Sequence, residues 1–446
     1  MMGPKYKRPA VDVPQEYRAS APQQAVAASS LGNEDWWQVY QDPVLAQLIH
    51  TAIAQNYDVR IAAARVLEAQ AQVGITRANQ LPSANVGADV FSQQNAKVTK
   101  LFPAYQVNGG ELNLSVIWNL DFWGKYRRQT EATRAQLLAT EWGQRAVLSS
   151  LVANIATAYF QLRALDSELE ISKRTMGSRE QSLQLTRVLE RNGSGSGLDV
   201  SQAEQLVYTA SETIPDLERQ IQQQENVLSL LLGENPESIP RGRVLIEQPA
   251  PQNIPSGLPA ELLERRPDVR QAEENMVAAN AQIGVAKASF FPSVSLTGAG
   301  GLESNALNQF ISKPSETWYG AFSVSQPVFQ GGALRSGLRL ARANWQEAVL
   351  SYQQSILNAL EQVSNSLVAS QKDREFREQQ ELLTQAAQRT NQFSEVLYKN
   401  GGASYLQVLT SETNYFSAEL NLVQAQLNER LALVQLYQAL GGGWQQ

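Results

Sequence analysis

Glu111-Leu112-Asn113-Leu114-Ser115-Val116-Ile117-Trp118-Asn119-Leu120-Asp121-Phe122 is the stretch from which the fold can be read. Leu112, Leu114, Val116, Trp118, Leu120 and Phe122 fall on every second position, with mainly polar residues between them. A period of two is that of a strand with one apolar face. Upstream, Val86, Ala88 and Val90 keep the same period and predict a partner strand, and the segment from about Ala96 to Gly110, with Pro103 and Gly109-Gly110, predicts the loop between the two. Downstream the period changes. No proline occurs between Phe122 and Arg191, and Leu148, Ile155, Leu162, Leu169, Met176 and Leu183 recur every seven positions, with a second line partly filled by Leu151, Ala158 and Leu165. Such a seam is of the coiled-coil type. A helix over this run would be about 105 Å long at 1.5 Å per residue, against a globular mean of about 12 residues, which favours a long coiled coil over an ordinary helical core.

The pattern is written twice. Ala71-Gln72-Val73-Gly74-Ile75 with Leu81-Pro82-Ser83 returns as Ala281-Gln282-Ile283-Gly284-Val285 with Phe291-Pro292-Ser293. Val188-Leu189, Asn192-Gly193, Ser196, Leu198, Val200 and Glu204 return as Val396-Leu397, Asn400-Gly401, Ser404, Leu406, Val408 and Glu412. A second pair of alternating runs follows the second copy: Val294, Leu296, Gly298, Gly300 and Leu302, then Trp318, Gly320, Phe322 and Val324, joined by a polar segment from Glu303 to Thr317 that carries Pro314. No proline follows Pro327, and Leu409, Phe416, Val423 and Leu420, Leu427, Val434 again step by sevens. The expected layout is an extended N-terminal arm over 1–42 and two repeats. The first, 43–257, carries strands at about 85–96 and 111–122 and long helices at about 123–191 and 198–232. The second, 258–446, carries strands at about 294–303 and 318–328 and helices at about 331–399 and 404–440.

Alternating strands with Trp and Phe near their ends resemble those of membrane barrels more than a small soluble sheet set between helices of this length. Four strands cannot close a barrel, since single-chain membrane barrels begin at about eight, and an open edge in lipid would leave backbone groups unpaired. Strands from two chains would make eight and from three twelve; periodicity alone does not choose.

Composition narrows the chemistry. The chain of 446 residues has a formal charge of -6 and no basic stripe, which gives no support for a nucleic-acid partner. It has no cysteine, so disulfides, thiolate catalysis and cysteine metal sites are excluded within it. His50 is the single histidine, which excludes histidine-cluster metal sites and paired-histidine acid-base chemistry. No metal site and no catalytic residue is expected. There is no run of about 18 apolar residues for a membrane-spanning helix, and no n-region and h-region of a signal peptide, so either the protein is not exported or the leader has been removed.

Two short turns break the long helices. Arg191-Asn192-Gly193 has the signature of a helix C-cap, and Ser196-Gly197-Leu198-Asp199 restarts a helix with a capping-box signal. Lys399-Asn400-Gly401-Gly402 followed by Ser404-Tyr405-Leu406-Gln407 repeats the pattern. The run Gly193-Ser194-Gly195-Ser196-Gly197 is no phosphate loop, because it lacks the Gly-Lys-Ser/Thr ending and follows a helix. Pro215 should bend or break the helix after the first turn, and the second half has no counterpart near Val423. Extra structure around the middle of the molecule is expected to use that difference.

Several ordered motifs carry a resemblance. They are Gly3-Pro4-Lys5-Tyr6-Lys7-Arg8-Pro9; Leu120-Asp121-Phe122-Trp123-Gly124-Lys125; Gly257-Leu258-Pro259 with Leu262-Leu263-Glu264-Arg265-Arg266-Pro267-Asp268-Val269; Ala278-Ala279-Asn280-Ala281-Gln282-Ile283-Gly284 with Phe290-Phe291-Pro292-Ser293; and Leu436-Tyr437-Gln438-Ala439-Leu440-Gly441-Gly442-Gly443-Trp444. Covering nearly the whole length, they resemble the TolC-like outer-membrane factors of tripartite efflux pumps, in their OprM-like lipoprotein branch. The resemblance implies a mixed α and β membrane protein of Gram-negative bacteria. It would be a homotrimer, with a twelve-stranded outer-membrane β-barrel, four strands per chain, continuous with a long periplasmic α-helical barrel. It implies as partners a periplasmic adaptor protein, an inner-membrane transporter of the RND type and outer-membrane lipid, and it implies no cofactor beyond an N-terminal lipid on a cysteine that this sequence does not contain.

In such proteins the helix tips close the periplasmic end and meet the adaptor. By motif the gate falls on Leu198 to Glu204 and Leu406 to Thr413, with Leu406, Thr410, Thr413, Leu198 and Asp199 as gate candidates. Adaptor-contact candidates are Asn192, Gly193, Ser196, Val200, Glu204, Asn400, Gly401, Ser404, Val408 and Glu412. Relatives often carry Asp and Arg where this chain has Thr410 and Thr413, which makes Leu406 the firmer candidate. Asp199, Glu204 and Glu412 would suit an acidic entrance or serve as caps and surface charges. The function implied is a passive exit duct for small toxic compounds; the alternatives are a duct for type I protein secretion or a periplasmic coiled-coil scaffold without a pore.

Overall fold

A computed structural model describes residues 1–14, 17, 30–94, 106–248, 259–305, 309–311 and 313–444. Helices α1 (Trp36–Tyr40), α2 (Pro43–Gln55) and α3 (Tyr57–Ala78) lead into strands β1 (Ser83–Gln94) and β2 (Gln106–Leu120), then α4 (Lys125–Arg191) and α5 (Gly197–Leu232). The order then recurs as α6 (Pro259–Arg265), α7 (Pro267–Ala288), β3 (Ser293–Ser304), β4 (Glu316–Ser325), α8 (Ala333–Lys399) and α9 (Tyr405–Ala439). Helices α4 and α8 each run for 67 residues. No helix among the described residues is long and apolar enough to cross a membrane.

Two compact units share these elements: one of Met1–Val11, Ala64–Glu141 and Gln271–Gln353, the other of Asp12–Ala63, Trp142–Arg270 and Gln354–Gln446. The first holds a four-stranded antiparallel sheet in the order β1-β2-β3-β4. Its register sets apolar residues on one face. Val86, Leu114, Gly300 and Trp318 stand in one row across the four strands, and Trp118, Leu296 and Phe322 stand in another. The intervening rows are more polar, as in Asn85, Ser115, Ala299 and Tyr319. A one-residue slip at any pairing would turn a strand's apolar side over, so the alternation specifies the register.

Strand β2 starts earlier than its alternation suggests. Gly109 and Gly110 belong to the strand, opposite Phe91 and Val90, and not to the loop. The Phe91 ring occupies the space over Gly109, where a Cβ would stand 2.7 Å from Cζ, so the aromatic face covers the bare backbone. Pro103 and the rest of the joining segment, 95–105, lie outside the described residues, as do Gly257 and Leu258.

An extended N-terminal segment is fastened to this first unit. The Met2 N–H donates to the Trp123 carbonyl at 3.0 Å, and Arg128 donates to the carbonyls of Met2 and Pro4, both at 3.1 Å. Arg8 grips Glu273 with Nε and Nη2, each at 2.6 Å, and the Tyr6 hydroxyl donates to the same carboxylate at 3.0 Å. Charge-assisted two-point bonds of this kind fix geometry as well as position.

The second unit packs α2, α5 and α9 with large buried side chains such as Trp36, Tyr159, Phe160, Leu228, Leu245 and Tyr437. Asp42 caps α2 and also ties in the chain beyond α5. Its carboxylate accepts from the backbone of Val44 at 2.9 Å and Arg243 at 3.2 Å, from the Tyr159 hydroxyl at 3.0 Å and from Gln248 Nε2 at 2.6 Å. Pro215 does not break α5, which continues from Gly197 to Leu232. The proline is exposed, so the carbonyl it leaves free faces water, while Leu217, Ile221 and Leu228 remain packed on the buried side.

Candidate functional site

The helix tips are built by two turns of the same kind. Gly193 and Gly401 both sit at φ +73, the left-handed conformation that a side chain would strain. At the first tip Gly193 N–H donates to Glu190 and Ser194 N–H to Leu189, both at 2.9 Å. At the second, Gly401 N–H donates to Tyr398 at 3.0 Å and Gly402 N–H to Leu397 at 2.8 Å. These paired bonds satisfy carbonyls that the helix end leaves free. Ser196 and Asp199 then form a reciprocal capping box at 3.2 and 3.0 Å, whereas Ser404 caps α9 without a side-chain hydrogen bond.

The gate candidates divide by exposure. Leu198 and Leu406 stand out from the chain, 67% and 58% exposed. Thr410 and Thr413 are exposed too, but their hydroxyls donate back to the carbonyls of Leu406 and Leu409, both at 2.8 Å, and so are engaged within α9. Asn192, Gly193, Ser196, Asn400, Gly401 and Ser404 are exposed, and Asp199 is half-buried. Glu204 pairs with Arg187 at 2.6 Å.

Val408 and Glu412 are placed differently from the expected adaptor surface, because both are buried inside the chain. Val408 packs with Leu183, Ala203, Val207 and Tyr405 into a small core, which Val200 also joins, between the two hairpins. Glu412 is 6% exposed and accepts a hydrogen bond from Ser182 of α4 at 3.1 Å. Burial pushes its carboxyl above the ordinary range, against the lowering effects of Ser182 and Arg179. Burial likewise lowers Arg179, which donates from Nη1 to the Leu206 carbonyl at 2.9 Å and lies over the Phe416 ring at 5.1 Å.

Arg179 and Ser182 escaped the sequence reading, though a signal for Arg179 exists. Continuing the second heptad line of α4 beyond Leu151, Ala158 and Leu165 gives Ser172, Arg179 and Thr186, all three buried. The line stays inside the fold but turns polar toward the tip. In α8 the series Ile356 and Val363 similarly leads to Arg377, Thr384 and Asn391. Seams of this composition gain less from burial than apolar ones and lean on specific polar contacts.

The family described as outer membrane efflux protein matches residues 48–234 and 258–442. The chain is 32% identical over 449 residues to the cation efflux system protein CusC of Escherichia coli O6:H1, covering 100% of this chain and 96% of that one. It is 33% identical over 455 residues to the toluene efflux pump outer membrane protein TtgI of Pseudomonas putida, covering 99% and 95%. Its structure superposes on the open state of the MtrE outer membrane channel of Neisseria gonorrhoeae with a TM-score of 0.90 at 28% identity, covering 99% and 98%. On its sheet, its long hairpins and these likenesses together, the chain is an outer-membrane channel protein and belongs to the outer membrane efflux protein family.

Proposed function

We propose that three copies of this chain pool their strands into one twelve-stranded barrel and act as the passive exit duct of a tripartite efflux pump, gated at the helix tips. The sheet carries this reading. Strands β1 and β4 each pair on one side only among the described residues, and a single apolar face runs across all four strands. In lipid such edges must be closed, and joining β1 of one copy to β4 of the next closes them. Three copies is the number that the family resemblance implies, and three chains with two hairpins each would give the tube a sixfold pseudo-symmetry.

Exposed residues of the two turns would meet a periplasmic adaptor, and through it an inner-membrane transporter of the RND type. Leu198 and Leu406 would narrow the entrance as side chains that project from the tips. The clamped N-terminal segment ends beside Trp123, at the junction of sheet and helix, which suits a lipid carried on a cysteine outside this sequence and anchored in the membrane. CusC is named for cations and TtgI for toluene, so relatives of one architecture carry unlike cargo. The cargo here is taken to be small toxic compounds selected upstream, with no covalent step by this chain.

Since the chain has no cysteine, introduced pairs report the subunit seam cleanly. Single cysteines placed along β1 and β4 should cross-link detergent-extracted protein up to the mass of three chains. A particle of one chain, with no cross-link at any register, overturns the pooled barrel.

A further inference from the structure

We propose that Glu412 is a proton-controlled latch between the tip hairpins: the packed arrangement with its carboxyl buried between α4 and α9 is favoured while the carboxyl holds its proton, and loss of the proton favours hairpins splayed apart. The inference rests on the tip-gating reading above and names the group that would regulate it. Glu412 Oε1 is held by Ser182, whereas Oε2, Arg179 Nε and the Tyr405 hydroxyl are buried with no hydrogen-bond partner among the described residues. Three unsatisfied polar atoms on neighbouring buried residues make this stretch of the tip costly, and a small rearrangement that wets them is correspondingly cheap. A cavity of about 150 Å³ adjoins Glu412 and is lined also by Arg174, Ser178, Asn391, Tyr415 and Glu419. It is polar and large enough to admit water. Arg174, which pairs with Glu419 at its edge, is half-exposed, so a proton leaving Glu412 has a route to solvent.

The groups facing the carboxyl are few. Helix α4 contributes Arg179 and Ser182 and, along the cavity, Arg174 and Ser178; α8 contributes Asn391 and, farther off, Glu395; α9 itself contributes Tyr405, Tyr415 and Glu419. Helix α5 presents the Leu206 carbonyl, already taken by Arg179. Burial raises Glu412 first and foremost, Glu395 adds to it, and Ser182 and Arg179 oppose it without prevailing. The packed tip therefore holds the proton more tightly than a splayed tip in which the carboxyl meets water. As pH rises from the ordinary carboxyl range up to the raised value the packed tip loses stability relative to the splayed one; below that range the bias is absent and above the raised value it is complete.

The test is the open probability of single channels in planar bilayers, over a pH range that starts below the ordinary carboxyl value of 4.5 and runs up through neutrality. Wild type should open more often as pH rises, by up to about tenfold per pH unit. Glu412→Gln keeps an acceptor for Ser182 but cannot ionise, and its open probability should be flat across that range. Arg179→Met leaves Glu412 titrating without the opposing charge and should move the transition to higher pH; it carries the test should Glu412→Gln fail to assemble. A Glu412→Gln channel with the full wild-type pH response overturns the latch, as does an Arg179→Met channel whose transition stays in place. If wild type shows no pH response while Leu406→Ala still raises conductance, the latch fails and the tip gate survives.

Discussion

Leu406 and Asp42 show how differently two side chains of this protein work. Leu406 is more than half exposed and packs little within its own chain, so its effect should be felt in the pore and not in folding. Leu406→Ala should raise single-channel conductance and leave thermal stability within about 0.5 kcal/mol of wild type, as for ordinary exposed positions. An unchanged conductance would remove Leu406 from the gate. Asp42 is the opposite case, a buried carboxylate on which α2, α4 and the segment beyond α5 converge. Burial alone would raise it, but hydrogen bonds from Gln248, the Leu45 backbone, Tyr159 and the Val44 backbone together hold it below the ordinary carboxylate range. Its contribution to stability is thus present above that ordinary range and is lost as pH falls through the lowered value. Asp42→Ala strands several buried donors and should cost about 3 kcal/mol, read as a lower unfolding temperature in detergent, with much of the acid sensitivity of wild type gone. An unfolding temperature equal to that of wild type would remove Asp42 from the packing between α2, α4 and α5.

At the scale of elements, the long helices change character along their length. Toward the middle of α4 one line of the seam holds Leu151 and Ala158, and toward the tip the same line holds Ser172, Arg179 and Thr186. Removing the buried hydroxyls at nearly constant volume, as Ser172→Ala with Thr186→Val, should strengthen pairing of the hairpins and lower open probability several-fold while raising thermal stability. Unaltered gating in a protein so stabilised would uncouple seam packing from the tip. The apolar part of the seam was legible because leucine and isoleucine at sevens announce themselves. Its polar part was not, since Arg179 at a seam position looks like any surface arginine until neighbours from three other helices are known. The alternating strand from Leu112 was legible for the same reason, yet its first residues were hidden. Gly109 and Gly110 read as a turn in isolation, and the rings that cover them come from elsewhere in the chain, Phe91 over Gly109 and Phe310 against Gly110. Pro215 misled in the other direction: the lost hydrogen bond is real, but on an exposed face water supplies it, and packing of the opposite face carries the helix through. Val408 and Glu412 looked like turn-facing residues because they repeat Val200 and Glu204, but burial depends on the facing hairpin, which a repeat does not report.

For the whole molecule, the sheet makes the sharpest demand, because its apolar face and its two edges are stable only in a particular surrounding. On the apolar face, Leu114→Arg should cost about 2–4 kcal/mol of stability in lipid and abolish insertion into vesicles, whereas Ser115→Arg on the other face should insert normally. Equal insertion of the two variants would mean that the apolar face does not meet lipid. The central claim is that the four strands of one chain are a third of a conducting barrel. Its most direct measurement combines the mass of the detergent-extracted particle, by light scattering with the detergent subtracted, with ion conductance of the same particle in a planar bilayer. The expected result is the mass of three chains and discrete conductance steps that grow in Leu406→Ala. A single-chain particle, or a membrane-inserted particle that conducts in neither wild type nor Leu406→Ala, would contradict it.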